Sequence, residues 1–153
     1  MSWEVAETCE TCEKNGWIKP TVCQVIYHAL QRSIEAVLFP CLRHYSIALY
    51  AFQPLAGEFL TGRYTRNQEE FEPGSGFDPK IWQGTLHHNR YWNNSYFDAL
   101  DVIRPAAEKH GLTIAEVALR CIGYHSQMKR ELHDAIIVGA SSCLLYTSDA
   151  ADE

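Results

Sequence analysis

The sequence predicts an α/β fold in which three parallel strands alternate with helices. Three short runs have the composition of strands, and they cover residues 21–27, 47–52 and 135–139. The segments between them carry apolar residues at the spacing of amphipathic helices or have helix-capping patterns. Because parallel strands need long crossover connections, this alternation favours a parallel sheet with helices packed on it.

The first helix is predicted over residues 3–14. Ser2 can serve as its N-cap, Glu4 and Glu7 lie near its positive end, and Gly16 can end it. The first strand, residues 21–27, follows.

A second helix is predicted over residues 34–45, because apolar residues recur there in helical rhythm. Pro40 lies inside this segment, so it must kink the helix or remove one hydrogen bond. After the strand at residues 47–52, residues 63–94 form a polar stretch punctuated by Gly and Pro. A connection of that length is usually a functional lid or a disordered segment.

Two capping-box patterns open the later helices, and each pairs a hydroxyl residue with an acidic residue three positions later. The helices are predicted over residues 96–110 and 114–125, and the pairs are Ser95 with Asp98 and Thr113 with Glu116. The apolar run at residues 135–139 then predicts a strand that is buried on both faces.

Composition excludes several classes of partner. The chain has 153 residues, a formal net charge of −6 and no basic cluster, so nothing indicates a nucleic acid or an anionic membrane surface. No apolar run approaches the roughly 18 residues of a membrane span, and the first twelve residues are too charged for a secretory signal. We expect a cytoplasmic protein.

The six cysteines include one CxxC pattern, Cys9 to Cys12. A structural zinc site would need a second pair of ligands at suitable spacing, and none is evident. Val5, Cys9 and Cys12 recur on one face of the first helix, which favours two small core thiols. A thiol or metal module remains the alternative.

The most informative segment is the end of the second strand, where an apolar run reaches Phe52 and breaks into a Pro/Gly loop. Pro54 fixes its own φ, and Gly57 permits positive φ. Loops at the carboxyl ends of parallel strands are where α/β proteins bind ligands. This loop could therefore place backbone amides against a phosphate.

This loop and several other motifs resemble the aldo-keto reductase family, most closely its aflatoxin-aldehyde-reductase branch. That branch has a strand ending aromatic-Asn-Pro-Leu-Ala-Gly-Gly, followed a few residues later by Thr-Gly-Lys/Arg-Tyr. The corresponding segments are residues 52–58 (FQPLAGE) and 61–64 (TGRY). Further matches in family order are residues 3–7 (WEVAE), 24–27 (QVIY), 39–44 (FPCLRH), 90–92 (RYW) and 139–142 (GASS).

The resemblance implies that residues 1–142 are the C-terminal half of a (β/α)8 TIM barrel, with about three of its parallel strands. Such a barrel typically takes about 250 residues. Because three strands cannot close a barrel, the sheet would keep open edges.

The resemblance also implies NADPH as cofactor and an aldehyde or ketone as the small-molecule substrate of the full-length protein. The matching Gln24 would contact the nicotinamide carboxamide, and Phe52 would stack on the nicotinamide. The remaining implied cofactor contacts are Gln53, Pro54, Leu55 and Gly57 along the pyrophosphate, Thr61 and Arg63 at the same phosphates, and Ser141 at the adenosine-side phosphate.

The residues alone leave other interpretations open. Gln24 could be a core amide that is satisfied by a neighbour, Phe52 could be core packing, and Arg63 could be a solvated surface charge.

Four positions depart from the family pattern: Val25 replaces a Gly, Cys23 replaces a Tyr, and two further changes bear on phosphate binding. Glu58 stands where a second Gly is usual, and its charge should repel phosphate. Gly76 stands where the family has an Arg, so a phosphate-binding guanidinium is missing.

We assign no catalytic residue, because the family's catalytic Asp, Tyr, Lys and His come from the first half of the barrel. His87 and His88 could bind a metal, or they could be exposed loop histidines. The rival function is that of a noncatalytic nicotinamide-cofactor-binding or interaction protein related to potassium-channel β subunits.

Residues 143–153 (CLLYTSDAADE) abandon the family pattern and resemble a translated sequencing adaptor. We expect this segment to be a non-native tail, with a genuine polar acidic tail as the alternative.

Overall fold

The computed structural model describes residues 2–139, and within that range it contains helices and a three-stranded sheet. The helices are α1 (Ser2–Asn15), α2 (Leu38–His44), α3 (Trp82–Tyr91), α4 (Asn94–Lys109) and α5 (Ile114–Tyr124). The strands are β1 (Val22–Ile26), β2 (Ala48–Phe52) and β3 (Ala135–Ile136). Three 3-10 turns complete the described elements: Ser33–Glu35, Phe59–Thr61 and Arg130–Leu132.

The sheet is parallel and has the order β1-β2-β3, which confirms the predicted α/β arrangement. Gln24 pairs with Tyr50 and Ile26 pairs with Phe52, so these four residues share one face. The opposite face carries Val25, Leu49 and Ala51 and is covered by helices. The face that carries Gln24 and Phe52 is not covered by a helix among residues 2–139.

The sheet core lies between the covered face and helices α1, α2 and α5. Its buried members are Cys9, Val25, Tyr27, Leu38, Phe39, Leu42, Ile47, Leu49, Ala51 and Ile122. They come from all three helices and two strands, so hydrophobic burial holds the α1–α2–α5 layer on the sheet.

A second core, the aromatic cluster, lies beside the loop that follows β2. Its buried members are Ala56, Phe59, Leu60, Tyr64, Phe77, Tyr91, Phe97, Leu100, Ile114 and Ala118. The Phe59 and Phe97 rings meet edge to face with centroids 5.0 Å apart, and Tyr64 lies 4.7 Å from Phe77. Because α5 contributes to both cores, it joins the loop region to the sheet.

Helix α1 ends as predicted. Gly16 has φ +68°, the N–H of Trp17 donates to the Cys12 carbonyl (2.8 Å), and the N–H of Gly16 donates to the Glu13 carbonyl (3.3 Å). These two bonds form a Schellman cap. On the predicted apolar face Cys9 is fully buried in the sheet core, whereas Cys12 is only half-buried. Within residues 2–139 no group of three His, Cys, Asp or Glu side chains is placed to hold a metal.

The predicted second helix is shorter than expected. Residues 33–35 form a 3-10 turn, and α2 begins only at Leu38. Pro40 is therefore the third residue of α2 rather than an interior kink. The N–H groups of a helix's first turn have no partner inside the helix, so a proline is tolerated there.

The prediction that residues 63–94 form a lid or a disordered connection is wrong, because this stretch contains α3. The buried positions of α3 are Gly84, His87 and Tyr91, spaced as one helical face. Gly84 is needed for this packing, since a Cβ there would overlap the Asp78 carbonyl. Large apolar side chains do not mark this face, so hydrophobic periodicity does not reveal the helix.

The cap predicted for α4 is also wrong. Asn93 is the N-cap, and its side chain accepts a hydrogen bond from the N–H of Tyr96 (3.2 Å). Asp98 instead binds the Arg66 guanidinium (2.7 Å). The capping box of α5 is confirmed, since Thr113 and Glu116 bond reciprocally.

The third strand is shorter than residues 135–139 and is not buried on both faces. Ile137 is 36% exposed and Val138 is 58% exposed. Of the described residues, none pairs as a strand beyond β3, so this strand is an edge. No helix of residues 2–139 is long and apolar enough to cross a membrane.

Asp134 ties the elements of the sheet together. It forms a bidentate ion pair with Arg43 of α2, and its side chain accepts hydrogen bonds from the N–H groups of Leu49 (2.8 Å) and Lys129 (2.8 Å). Burial alone would raise the pKa of this carboxyl, but the guanidinium and the two N–H groups together hold its pKa below the usual value.

We predict that Asp134→Asn lowers the free energy of unfolding at pH 7 by about 3 kcal/mol, because it leaves a partly buried guanidinium without its counter-charge. A lowered folded-state pKa gives stability that is present above the unfolded pKa, near about 3.9, and is lost as the pH falls through the folded value. The difference between wild type and variant should therefore shrink below about pH 4. Urea titrations of both proteins at several pH values measure this difference in the free energy of unfolding.

The matched control is Glu13→Gln, which removes a carboxylate from the exposed ion pair with Lys19. It should leave the unfolding midpoint unchanged. Equal effects of the two substitutions would contradict the anchoring role of Asp134.

Candidate functional site

The candidate site is built on the β2 loop, residues 53–62, which follows β2 at the carboxyl edge of the sheet. Five of its residues have positive φ: Gln53 (55°), Ala56 (52°), Gly57 (60°), Glu58 (77°) and Gly62 (83°). Three of these are not glycine, so the loop stores backbone strain. Hydrogen bonds within the loop hold it, including the N–H of Leu60 to the Leu55 carbonyl (3.0 Å).

The predicted positive φ of Gly57 is confirmed, and it coincides with a close approach. A Cβ at this position would lie 2.6 Å from the nearest atom of the His87 ring. Glycine is therefore required both by the backbone conformation and by the packing of α3 against the loop.

Three consecutive hydrogen bonds link Tyr91, Gln53, His87 and Gly76, and they connect the loop to α3. The Tyr91 hydroxyl donates to Gln53 Oε1 (2.5 Å), Gln53 Nε2 contacts His87 Nε2 (3.0 Å), and His87 Nδ1 contacts the Gly76 carbonyl (2.7 Å). A carbonyl only accepts, so this pattern assigns the proton to His87 Nδ1 and makes Nε2 the acceptor. His87 is thus a buried helical residue whose two ring nitrogens are engaged, rather than an exposed loop histidine.

Gln24 and Phe52 lie on the uncovered face of the sheet. Gln24 is exposed, so the interpretation as a satisfied core amide is wrong. Phe52 is half-buried and pairs in register with Ile26, two residues beyond Gln24. An amide and an aromatic ring therefore stand on the same face of adjacent strands, near their carboxyl ends.

The other predicted loop residues differ in exposure. Pro54 is buried, and Leu55 packs against the aromatic cluster. The Thr61 hydroxyl donates to the Glu58 carbonyl (2.8 Å). These three residues shape the loop from inside. Ser141 lies outside the described residues.

Glu58 of the loop and Arg63, the first residue after the loop, lie together. Arg63 is exposed, and its Nη1 is 3.9 Å from Glu58 Oε2 and 3.6 Å from Glu72 Oε2. Glu58 Oε2 also accepts hydrogen bonds from the Tyr64 hydroxyl (3.1 Å) and the N–H of Gly76 (3.1 Å). Burial and the nearby Glu58 charge raise the pKa of Tyr64 to about 12. The Glu58 carboxylate therefore has two hydrogen-bond donors and a guanidinium as neighbours.

Sequence reasoning missed Arg104, which braces the loop from α4. Its guanidinium donates to the carbonyls of Gly62 (3.1 Å) and Tyr64 (2.6 Å). Nothing local marks this role, because the contacts join residues 40 and 42 positions apart.

His28, two residues beyond the end of β1, was also missed. It is 1% exposed, its Nδ1 accepts from the N–H of Leu30 (3.3 Å), and its Nε2 has no partner among the described residues. Burial, with a smaller effect of Arg90, lowers the pKa of His28 to about 4. His28 is therefore a neutral side chain near pH 7, packed edge to face against Tyr91 and Tyr96.

The described residues of the site come together at one edge of the sheet. Seven of the predicted cofactor contacts follow one another along β2 and its loop, namely Phe52, Gln53, Pro54, Leu55, Gly57, Thr61 and Arg63. Gln24 stands on the neighbouring strand.

Comparison with known proteins identifies this arrangement. The sequence pattern of the Aldo/keto reductase family matches residues 1–148. The chain belongs to the aldo/keto reductase family, whose fold is a TIM barrel, and its three-stranded parallel sheet corresponds to part of that barrel.

Three relatives show the range of similarity. An aldo-keto reductase of Pseudocercospora fijiensis is 52% identical over 141 residues, and the aldo-keto reductase pigE of Monascus ruber is 49% identical over 143 residues. Aflatoxin B1 aldehyde reductase member 2 of Homo sapiens is 41% identical over 146 residues. Each match covers 92% of this chain but only 47%, 42% and 40% of the three relatives, so the chain spans less than half of their length.

The family match has one consequence for the predicted tail. It runs to residue 148 and so includes part of the segment 143–153. That segment lies outside the described residues, and its adaptor origin stays a prediction.

We predict that Gln53→Leu lowers the free energy of unfolding by about 2 kcal/mol. The substitution leaves the buried Tyr91 hydroxyl and His87 Nε2 without partners, and each unsatisfied buried group costs about 1–3 kcal/mol. Denaturant titration measures the loss. The control is Gln83→Leu, at an exposed glutamine of α3. A Gln53 variant as stable as this control would contradict the hydrogen-bond chain.

Proposed function

We propose that this chain supplies the nicotinamide-cofactor side of an NADPH-dependent aldo-keto reductase that reduces aldehydes or ketones to alcohols. The observation that carries the proposal is the position of Phe52, Gln24 and the β2 loop at one carboxyl edge of a parallel sheet. Ligands bind at this edge in α/β proteins.

The residues present suit the two ends of a nicotinamide nucleotide. Phe52 offers a half-buried aromatic face on the uncovered side of the sheet, and the exposed Gln24 amide can pair with a carboxamide. Arg63 offers an exposed guanidinium beside the loop, which can form a charge-assisted hydrogen bond to a phosphate. The proposed role of Ser141 at a second phosphate rests on the family resemblance.

When bound, the cofactor would supply the hydride that the carbonyl group accepts. The contribution of this chain is to bind and orient it. The strained β2 loop is fixed by Gln53 and Arg104 before any ligand arrives, so little ordering would remain to be done on binding.

The substrate class is proposed from the relatives. Aflatoxin B1 aldehyde reductases of Homo sapiens and Mus musculus match 92% of this chain at about 40% identity. We propose a small-molecule aldehyde or ketone and a cytoplasmic location.

We predict that NADPH binds the chain with a dissociation constant weaker than about 100 µM. Arg63 is already shared between Glu58 and Glu72, and each charged contact that a phosphate fails to make costs about 1.5–3 kcal/mol. Isothermal calorimetry measures the constant.

Two variants and one control refine this test. Arg63→Gln and Phe52→Ala should each weaken NADPH binding further, measured by competition at high ligand concentration. Arg130→Gln should not, because Arg130 is exposed in the turn before β3, at the amino edge of the sheet. Low-micromolar binding, or equal effects of the three substitutions, would contradict the assignment.

We also predict that the chain alone does not oxidise NADPH with aldehydes above background. No residue in it is assigned as the acid that protonates the developing alkoxide. Absorbance at the NADPH band follows the reaction. Turnover that disappears in Phe52→Ala would show that the chain is sufficient for catalysis and would refute this prediction.

A further inference from the structure

Three donors converge on a single carboxylate beside the β2 loop. Glu58 Oε2 accepts hydrogen bonds from the N–H of Gly76 (3.1 Å) and the Tyr64 hydroxyl (3.1 Å), and Arg63 Nη1 lies 3.9 Å away. A backbone N–H, a hydroxyl and a guanidinium are the groups that proteins use to bind phosphate. Here they are directed at a side chain of the same chain.

The backbone accommodates this contact at some cost. Glu58 adopts φ +77°, a left-handed conformation that disfavours side chains other than glycine's. A Cβ at Gly76 would lie 2.8 Å from the Gly57 carbonyl oxygen and 3.1 Å from Glu58 Cδ. The close approach of the Gly57 carbonyl therefore requires glycine at position 76, and this glycine also leaves room for the Glu58 side chain.

An open cavity lies beside these donors. It has a volume of about 230 Å³ and is lined by Arg63, Tyr64, Gln68, Glu72 and Ser75. Two of the groups that surround Glu58 Oε2, the Arg63 guanidinium and the Tyr64 side chain, therefore border space that is open to a ligand.

We infer that the Arg63 guanidinium, the Tyr64 hydroxyl and the N–H of Gly76 form an anion-binding site beside this cavity, and that the Glu58 carboxylate occupies the site from within. A phosphate or pyrophosphate group must displace the Glu58 carboxylate in order to use these donors. This inference rests on the proposed function only in taking the cofactor's phosphates as the natural ligand of the site.

The local charges explain why the occupant matters. Arg63 faces two carboxylates, Glu58 and Glu72, so this group of three side chains carries a net charge of 1 − 2 = −1. A bound phosphate is opposed by both carboxylates and finds the Gly76 and Tyr64 donors already engaged. Removing the whole Glu58 side chain frees those donors and leaves Arg63 with one acidic neighbour.

The test uses inorganic pyrophosphate as the probe, with binding measured by calorimetry on the wild-type chain and four variants. Glu58→Gly removes the occupying side chain and should bind pyrophosphate at least about 10-fold more tightly than wild type, equivalent to about 1.4 kcal/mol. Glu72→Gln changes the same charge beside Arg63 but frees neither donor, so it should gain less than about 3-fold. Glu131→Gln, an exposed residue before β3, should change nothing.

Glycine adopts the left-handed backbone at position 58 without strain, so Glu58→Gly should not disturb the loop. Glu58→Gln removes the charge but keeps an amide oxygen that accepts from the same two donors, so its gain should be smaller and similar to that of Glu72→Gln. A readout without ligand is the ultraviolet titration of Tyr64, isolated from the other seven tyrosines by subtracting the titration of a Tyr64→Phe variant. The Tyr64 pKa of about 12 should fall when the Glu58 charge is removed.

The inference is overturned if Glu58→Gly binds pyrophosphate no more tightly than wild type, or if Glu72→Gln gains as much as Glu58→Gly. The second result would mean a general charge effect rather than an occupied site. These outcomes are distinct from failure of the proposed function. Tighter pyrophosphate binding by Glu58→Gly without NADPH binding would support the anion site and reject the nucleotide assignment.

Discussion

The buried carboxylate of Asp134 is the interaction on which the arrangement of the sheet depends. It is bonded at once to Arg43 in α2, to the backbone of Leu49 in β2 and to the backbone of Lys129 before β3. These contacts fix the positions of α2 and β3 relative to β2 at the edge of the sheet where the strands begin. Since the strands are short and parallel, their carboxyl ends are then fixed as well, and that edge carries Phe52 and the β2 loop.

The β2 loop is held in place by polar contacts to α3 and α4 and by its packing on the aromatic cluster. Gln53 bonds to Tyr91 and His87, and Arg104 bonds to the carbonyl of Gly62 at the end of the loop and to that of Tyr64 just beyond it. A loop with positive φ at three non-glycine residues persists only where its surroundings determine it. The aromatic cluster and these hydrogen bonds hold the loop in its strained conformation. The backbone strain is therefore stored where a ligand is proposed to bind.

The strands and the Thr113–Glu116 cap could be predicted because their signals are local: apolar runs and a hydroxyl–acid spacing. Helix α3 could not, since its buried face consists of Gly84, His87 and Tyr91 and carries no aliphatic residue. The loop positions of the site followed from the Pro/Gly pattern and the family resemblance. The partners of Gln53 could not, because they lie 34 and 38 positions away and are defined only by the packing of α3 on the loop.

Glu58 and Gly76 are better understood as one change than as two. Considered separately, an acid near a phosphate path and a missing guanidinium both weaken an anion site. In the structure the two residues are in contact, and the Glu58 carboxylate bonds to the N–H of Gly76. A Cβ at position 76 would crowd both Glu58 Cδ and the Gly57 carbonyl. The donors that surround them stay satisfied without a ligand. The unfavourable left-handed conformation at Glu58 is offset by the hydrogen bonds of its side chain, which order the loop in the absence of cofactor, and we propose that this order is gained at the expense of phosphate affinity.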